Sequence, residues 1–311
     1  MDSLWVSNTL LPTLITAAIL LLILWPTRHS GKRLLQNWGL AEPTDPQAAE
    51  AVRYLRQRRI LYVLLFLAVP ALAGFVWPPS ADNRPPGNIL IPLLAAMLVA
   101  ELIATLRPVS GVRVASLNRR TWRDLVPTWA VVALAVLTGW ALLLVGRGLA
   151  AQPWARRYAA AIQPDGKISG DNWSGEVDPV VRDQLLHPDG WLTLGGILAC
   201  LAIVAALVFL AVRRPADTDA DVDRALRIRS ARIAVAIGFL WIAGLVNDAQ
   251  SRLALLEGTG RGAYRLPPPP DWLTESVHNT VEIVCLGTLI GALISWMFLA
   301  MPGHKSLVRA G

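Results

Sequence analysis

The sequence predicts an all-α, polytopic integral membrane protein of about seven transmembrane helices, with its N-terminus outside and its C-terminus inside. Three observations predict it. Of 311 residues, 54% are hydrophobic and 16% charged, and mean hydropathy is +0.46, more apolar matter than a soluble core uses. The apolar residues gather into seven runs of membrane-crossing scale. Arginine and lysine alternate with them: segments 26–59, 107–124, 213–232 and 302–311 carry more than twice as many as the remaining connections, the asymmetry that marks the cytoplasmic side. The net charge of +7 therefore belongs to membrane topology, and no nucleic-acid surface is expected.

The first run, 4–25, lacks a basic leader and an A-x-A-like cleavage site, so it is expected as a retained span. In the basic segment that follows, Asp45 is expected to cap a helix with Pro46 at its first position, and Ala49, Val52 and Leu55 form its apolar stripe. This amphipathic helix should merge with span two, 60–77. Its arginines suit the lipid bilayer at its anionic inner leaflet, where each gains about 1 kcal/mol; docking of a cytosolic partner protein is the alternative. The run Leu55-Arg56-Gln57-Arg58-Arg59 stands as an arginine brake at the membrane face, and Leu226-Arg227-Ile228-Arg229 echoes it.

Span three, 88–106, contains Pro92 and Glu101, and span four is expected over 125–145. Pro12, Pro70 and Pro92 load the first three spans with kinks. Segment 147–189 is the longest stretch outside the membrane, an extracytoplasmic loop or small cap. Span five covers 190–212, and span six covers 233–246, ending where Asn247-Asp248 meets water. A turn at Asp271, anchored by Trp272, leads into the last span, 278–301. The chain thus divides into a membrane half, 1–146, the segment 147–189, and a second membrane half, 190–311. Trp5 and Trp191, the two L-R-x-R motifs, Ala73-Gly74 and Ala243-Gly244, and Asn88 and Asn279 recur in the same order, which suggests a parallel internal repeat.

Glu101 is the foremost site candidate, because an ionisable group inside a span needs a partner, a cavity or the interface. It is either functional or snorkels to the interface and pairs with Arg107. His278 and Glu282 lie four residues apart on one helix face; with Asp248 they would form a proton-accepting or cation-binding mouth, or a set of interfacial hydrogen bonds. Gly287, Gly291 and Ser295 make a small-residue stripe suited to close helix crossing. Cys200 and Cys285 fall inside spans and are expected as packing residues. The alternating Asp217, Asp219, Asp221 and Asp223 would share one side of an extended chain and suit Mg²⁺; the other reading is a solvated linker and helix N-terminus.

No catalytic signature is present: H-E-x-x-H and G-x-S-x-G are missing, and the glycine-rich 258–262 lacks the Lys-Ser/Thr ending of a phosphate loop. His29, His187, His278 and His304 sit at span edges or in loops and offer no paired haem ligands. No metal and no cofactor are therefore expected. The leading expectation is a transporter, or a permease-like component of one, in a bacterial inner membrane. A sensor or scaffold holding a cytosolic partner through arginine-rich loops is the alternative. A magnesium-dependent lipid-modifying enzyme comes third.

Overall fold

The computed structural model describes residues 26–76, 90–106, 121–170, 173–186, 190–213, 219–262, 268–274 and 278–301. The fold is mostly helical. Eight helices can be named: α1 (Arg28–Asn37), α2 (Asp45–Val76), α3 (Leu90–Leu106), α4 (Thr128–Ala161), α5 (Pro179–Leu186), α6 (Gly190–Arg213), α7 (Ala220–Gly262) and α8 (His278–Ala300), with a two-stranded hairpin, β1 (Lys167–Gly170) and β2 (Trp173–Glu176). Four of them, α4, α6, α7 and α8, are long and apolar enough to cross a membrane. The chain is therefore an all-α membrane protein in outline. Spans four to seven of the sequence fall on these four helices, spans two and three fall on α2 and α3, and span one lies outside the described residues.

The described residues form two compact units. One draws on the described residues within Met1–Val132, Leu201–Trp241 and Leu293–Gly311, the other on those within Ala133–Cys200 and Ile242–Ala292.

In the first unit, α1 was not expected. Its start is a reciprocal cap in which the Thr27 hydroxyl accepts the Ser30 N–H at 3.3 Å and the Ser30 hydroxyl accepts the Thr27 N–H at 2.9 Å. Its end is a glycine stop: Gly39 has φ of 104°, and Gly39 and Leu40 N–H groups donate to Gln36 and Leu35 carbonyls. Leu35 and Trp38 are buried, and Gly31 lets α1 lie against α2 so closely that a Cβ there would stand 2.5 Å from the Ala48 carbonyl oxygen. Lys32 then pairs with Asp45 at 2.7 Å.

That pairing accompanies a correction at the start of α2. Ala48 N–H donates to the Thr44 carbonyl, and Thr44 N–H donates to Gln47 Oε1 at 2.8 Å. The cap is thus Thr44, one residue earlier than expected, and Pro46 takes the second helical position. The expected merger with span two does occur, since α2 runs through Arg59 and Pro70 to Val76 without a break.

Two helices overrun their expected ends. α7 has 43 residues, about 64 Å at 1.5 Å per residue, twice the roughly 30 Å of a hydrocarbon core. Asn247-Asp248 is therefore mid-helix and not a terminus. Past it, Ala249, Leu253 and Leu256 keep one face buried, Arg252 pairs with Asp248 at 3.3 Å, and no glycine intervenes before Gly258, so hydropathy falls while the helix continues. The glycine-rich 258–262 is likewise the helical end of α7. From Ala234 to Phe239 and from Trp241 to Val246 every residue is buried, as befits a helix apolar all round.

In the second unit, α4 continues past Val145 to Ala161 with Pro153 inside it. The hairpin follows, pairing Lys167 with Glu176 and Gly170 with Trp173. Gly166, at φ +84°, makes the turn possible and accepts the Val177 N–H at 2.8 Å. Arg182 of α5 donates to the Ile162 carbonyl at 3.1 Å, so the expected loop or small cap is ordered structure over its described residues. The turn Asp271–Thr274 is also present, with Leu273 buried and Arg147 stacked 5.2 Å from the Trp272 ring.

Candidate functional site

Three helices of the first unit meet through a buried polar cluster. Tyr54, Arg58 and Tyr62 follow one another at four-residue intervals and so share one face of α2. Facing them is Glu101 of α3, with 0% exposure, and Arg58 is 3% exposed. Arg58 Nε donates to Glu101 Oε2 at 2.7 Å, and the Tyr62 hydroxyl donates to Glu101 Oε1. Both carboxylate oxygens are thereby engaged, as a buried charge requires. The partner of Glu101 is thus Arg58; Arg107 lies outside the described residues.

From α7, Ser230 and Arg229 complete the cluster. Arg58 Nη2 donates to Ser230 Oγ at 2.8 Å, and Ser230 Oγ and Tyr54 Oη share a hydrogen bond of 2.9 Å. Arg229 Nη1 donates to Tyr54 Oη at 2.9 Å. The Arg58 guanidinium lies 3.7 Å from the Tyr54 ring centre and that of Arg229 5.2 Å, both within cation–π range. Burial weakens the hold of Arg58 on its proton, but Tyr54, Glu101 and Tyr62 more than offset it, and its pKa is raised. The group stays a cation.

This geometry revises the picture of arginine brakes. Arg58 does not face lipid phosphates, because Glu101 has claimed it. The two L-R-x-R motifs, 171 positions apart in the chain, come together around Tyr54. Beside them Asp223 and Arg227 form a buried ion pair one turn apart on α7.

A second junction ties the starts of α2 and α7. Gln47 Nε2 donates to Asp219 Oδ2 at 2.6 Å, and Asp219 Oδ1 accepts the Asp221 and Val222 N–H groups. Asp219 is therefore the N-cap of α7. The hydrogen bond from Gln47 holds its carboxyl below the usual range. The extended chain imagined for magnesium does not exist over 219–223: Asp221 and Asp223 occupy the first turn of α7, where a helix dipole favours negative charge, and Asp217 lies outside the described residues. Among the described residues no three His, Cys, Asp or Glu side chains gather as a metal would require.

Elsewhere, Asp248 accepts the Thr193 hydroxyl at 3.1 Å and pairs with Arg252. Glu282 is exposed on the first turns of α8; His278 opens that helix, and its side chain lies outside the described residues. A Cβ built on Gly287 or Gly291 meets nothing within 4 Å, so no described element crosses α8 closely at these glycines; Ser295 lies between exposure and burial.

Tyr54, Tyr62 and Ser230 were absent from the sequence-based candidates. The four-residue spacing Tyr54, Arg58, Tyr62 was the available signal: a polar stripe entering an apolar helix. Compared with known protein families, with curated proteins and with solved structures, the chain matches none.

Proposed function

We propose that the chain is a multi-pass transport protein, or the permease-like component of one, of a bacterial inner membrane, with its N-terminus outside and its C-terminus inside. The observation that carries the reading is the fully buried Glu101, held by Arg58 and Tyr62 where α2, α3 and α7 meet. An ion pair of this kind has two discrete states, closed as seen or opened by a competing ion, and transporters use such pairs to couple a solute to helix rearrangement. The basic segments 26–59 and 213–232 then belong to the inner face, and the hairpin with α5 to the outer one.

Reconstituted proteoliposomes test this. Ion currents and solute uptake are measured across a panel of inorganic anions, alkali cations, protons and amino acids for the native chain, Glu101→Gln and Arg58→Gln. Flux in the native chain that both substitutions abolish is the expected result. Flux equal to empty liposomes across the panel, or undiminished in both variants, overturns the reading.

A sensor or scaffold is the second reading, favoured by the ordered hairpin and α5. Removing residues 163–186 would then abolish signalling while the protein still folds, whereas a transporter would keep its flux.

A further inference from the structure

We propose that Tyr54 and Arg229 hold a small monovalent anion at the edge of the buried cluster. Counting protons leads there. Tyr54 Oη and Ser230 Oγ each carry one hydroxyl proton, and they share a single hydrogen bond of 2.9 Å. Their other hydrogen bonds come from donors: Arg58 Nη2 donates to Ser230 Oγ at 2.8 Å and Arg229 Nη1 to Tyr54 Oη at 2.9 Å. Only one hydroxyl proton can lie between the two oxygens. Among the described residues no acceptor is left for the other, and both side chains are buried, where a donor without an acceptor is costly.

Charge gives the same answer independently. Arg58 and Arg229 bring two guanidinium groups to a cluster with one carboxylate, Glu101, whose two oxygens are taken by Arg58 and Tyr62. The Asp223–Arg227 pair beside them is balanced within itself. Among the described residues no carboxylate pairs with Arg229. The cluster therefore has one positive charge and one hydroxyl donor in excess, and a single anion satisfies both.

Geometry places that anion. Arg229 touches the Tyr54 hydroxyl, and its guanidinium lies 5.2 Å from the Tyr54 ring centre. When Ser230 donates to Tyr54, the Tyr54 proton is the spare one, and the uncommitted N–H groups of Arg229 stand beside it. Arg229 is only partly buried, which leaves it reachable. A row of hydrogen bonds then runs from Glu101 through Arg58, Ser230 and Tyr54 to the anion. This gives the competing ion of the transport reading a chemical class, and it rests on that reading only for the step from binding to flux.

The full chain, purified in a neutral detergent, is titrated with the sodium salts of chloride, nitrate and formate, replacing gluconate at constant ionic strength, and its thermal midpoint is followed. Saturable stabilisation by at least one of the three is expected. Tyr54→Phe keeps the ring beside both guanidinium groups and removes only the hydroxyl, so it is the deciding variant. It should raise the half-saturating concentration about tenfold, the worth of one charge-assisted hydrogen bond. Arg229→Gln should do the same, and Arg53→Gln, at an exposed position on α2, should change nothing. Glu101→Gln should lower the half-saturating concentration, because it adds to the excess of positive charge; a merely structural role for the cluster would not. Binding that follows this pattern without flux in liposomes would sink the transport reading and keep the site. Stabilisation no greater than in gluconate with all three anions, half-saturation unchanged in Tyr54→Phe, or half-saturation raised in Glu101→Gln overturns the proposal and leaves the spare proton to water.

Discussion

At the scale of single residues, the Arg58–Glu101 pair makes the sharpest prediction. Removing one partner strands the other charge, so Glu101→Leu and Arg58→Leu should each lower stability by about 3–5 kcal/mol. The double substitution should cost clearly less than their sum, since it removes both charges together. Thermal unfolding in detergent of the four proteins closes the cycle; strictly additive losses would show that the pair is not coupled. Gly31 gives a second prediction, because a side chain there meets the Ala48 carbonyl and Val52. Gly31→Val should loosen α1 from α2 at a cost of about 1–3 kcal/mol, read as faster amide exchange over residues 28–37; unchanged exchange would refute the contact. Glu101 was legible in the sequence because a lone carboxylate in an apolar run is conspicuous. Its partner was not, since Arg58 stands among three other basic residues of 53–59, Arg53, Arg56 and Arg59, and only packing decides which of them turns inward.

At the scale of elements, the starts of α1, α2 and α7 are linked by carboxylates. Asp45 is held below its ordinary value of 3.8 by its hydrogen bond and charge contact with Lys32, and Asp219 below the same value by Gln47. A carboxylate whose pKa is depressed by folding stabilises the fold fully above its unfolded pKa and loses that contribution as pH falls through the folded value. Amide protection over 28–37 and at the start of α7 should therefore be constant near neutrality and fall below about pH 4. Asp45→Asn and Asp219→Asn should flatten that dependence; an unaltered pH profile in both would remove the carboxylates as its cause. The positions of α6 and α8 were legible to within a residue or two, because apolar runs bounded by Gly190 and Arg213, or by Asn279 and Pro302, have abrupt ends. The overruns of α4 and α7 were not, because hydropathy marks where a helix leaves an apolar medium and carries no information about where its backbone stops. Nor was α1, too short and polar to register as hydrophobic, although Thr27 and Gly39 supply its two end signals.

At the scale of the whole molecule, the surface declares its solvent. Val132, Val136 and Leu143 on α4, Leu198 and Phe209 on α6, and Ile283, Leu286, Ile290, Met297 and Phe298 on α8 are exposed, more apolar side chains than water tolerates on one protein. Since Cys200 and Cys285 are buried, cysteines introduced singly report on this surface without background. In right-side-out vesicles, Arg156→Cys should react with a membrane-impermeant maleimide, Arg224→Cys only after permeabilisation, and Val136→Cys or Phe209→Cys in neither case. Labelling of Arg224→Cys in sealed vesicles would reverse the proposed orientation.

The junctions between α2 and α7 also have a mechanical meaning. Eleven residues separate Gln47 from Arg58, and eleven separate Asp219 from Ser230. Eleven residues make close to three full turns, so both attachments emerge from the same side of each helix. The two helices are the rails of a ladder whose rungs stand about 16 Å apart. Sliding one rail along the other by a single residue unhooks both rungs at once, whereas rocking the pair as a unit strains neither. Axial slip between these helices is therefore all-or-none, and the ladder keeps its register until both rungs are broken together.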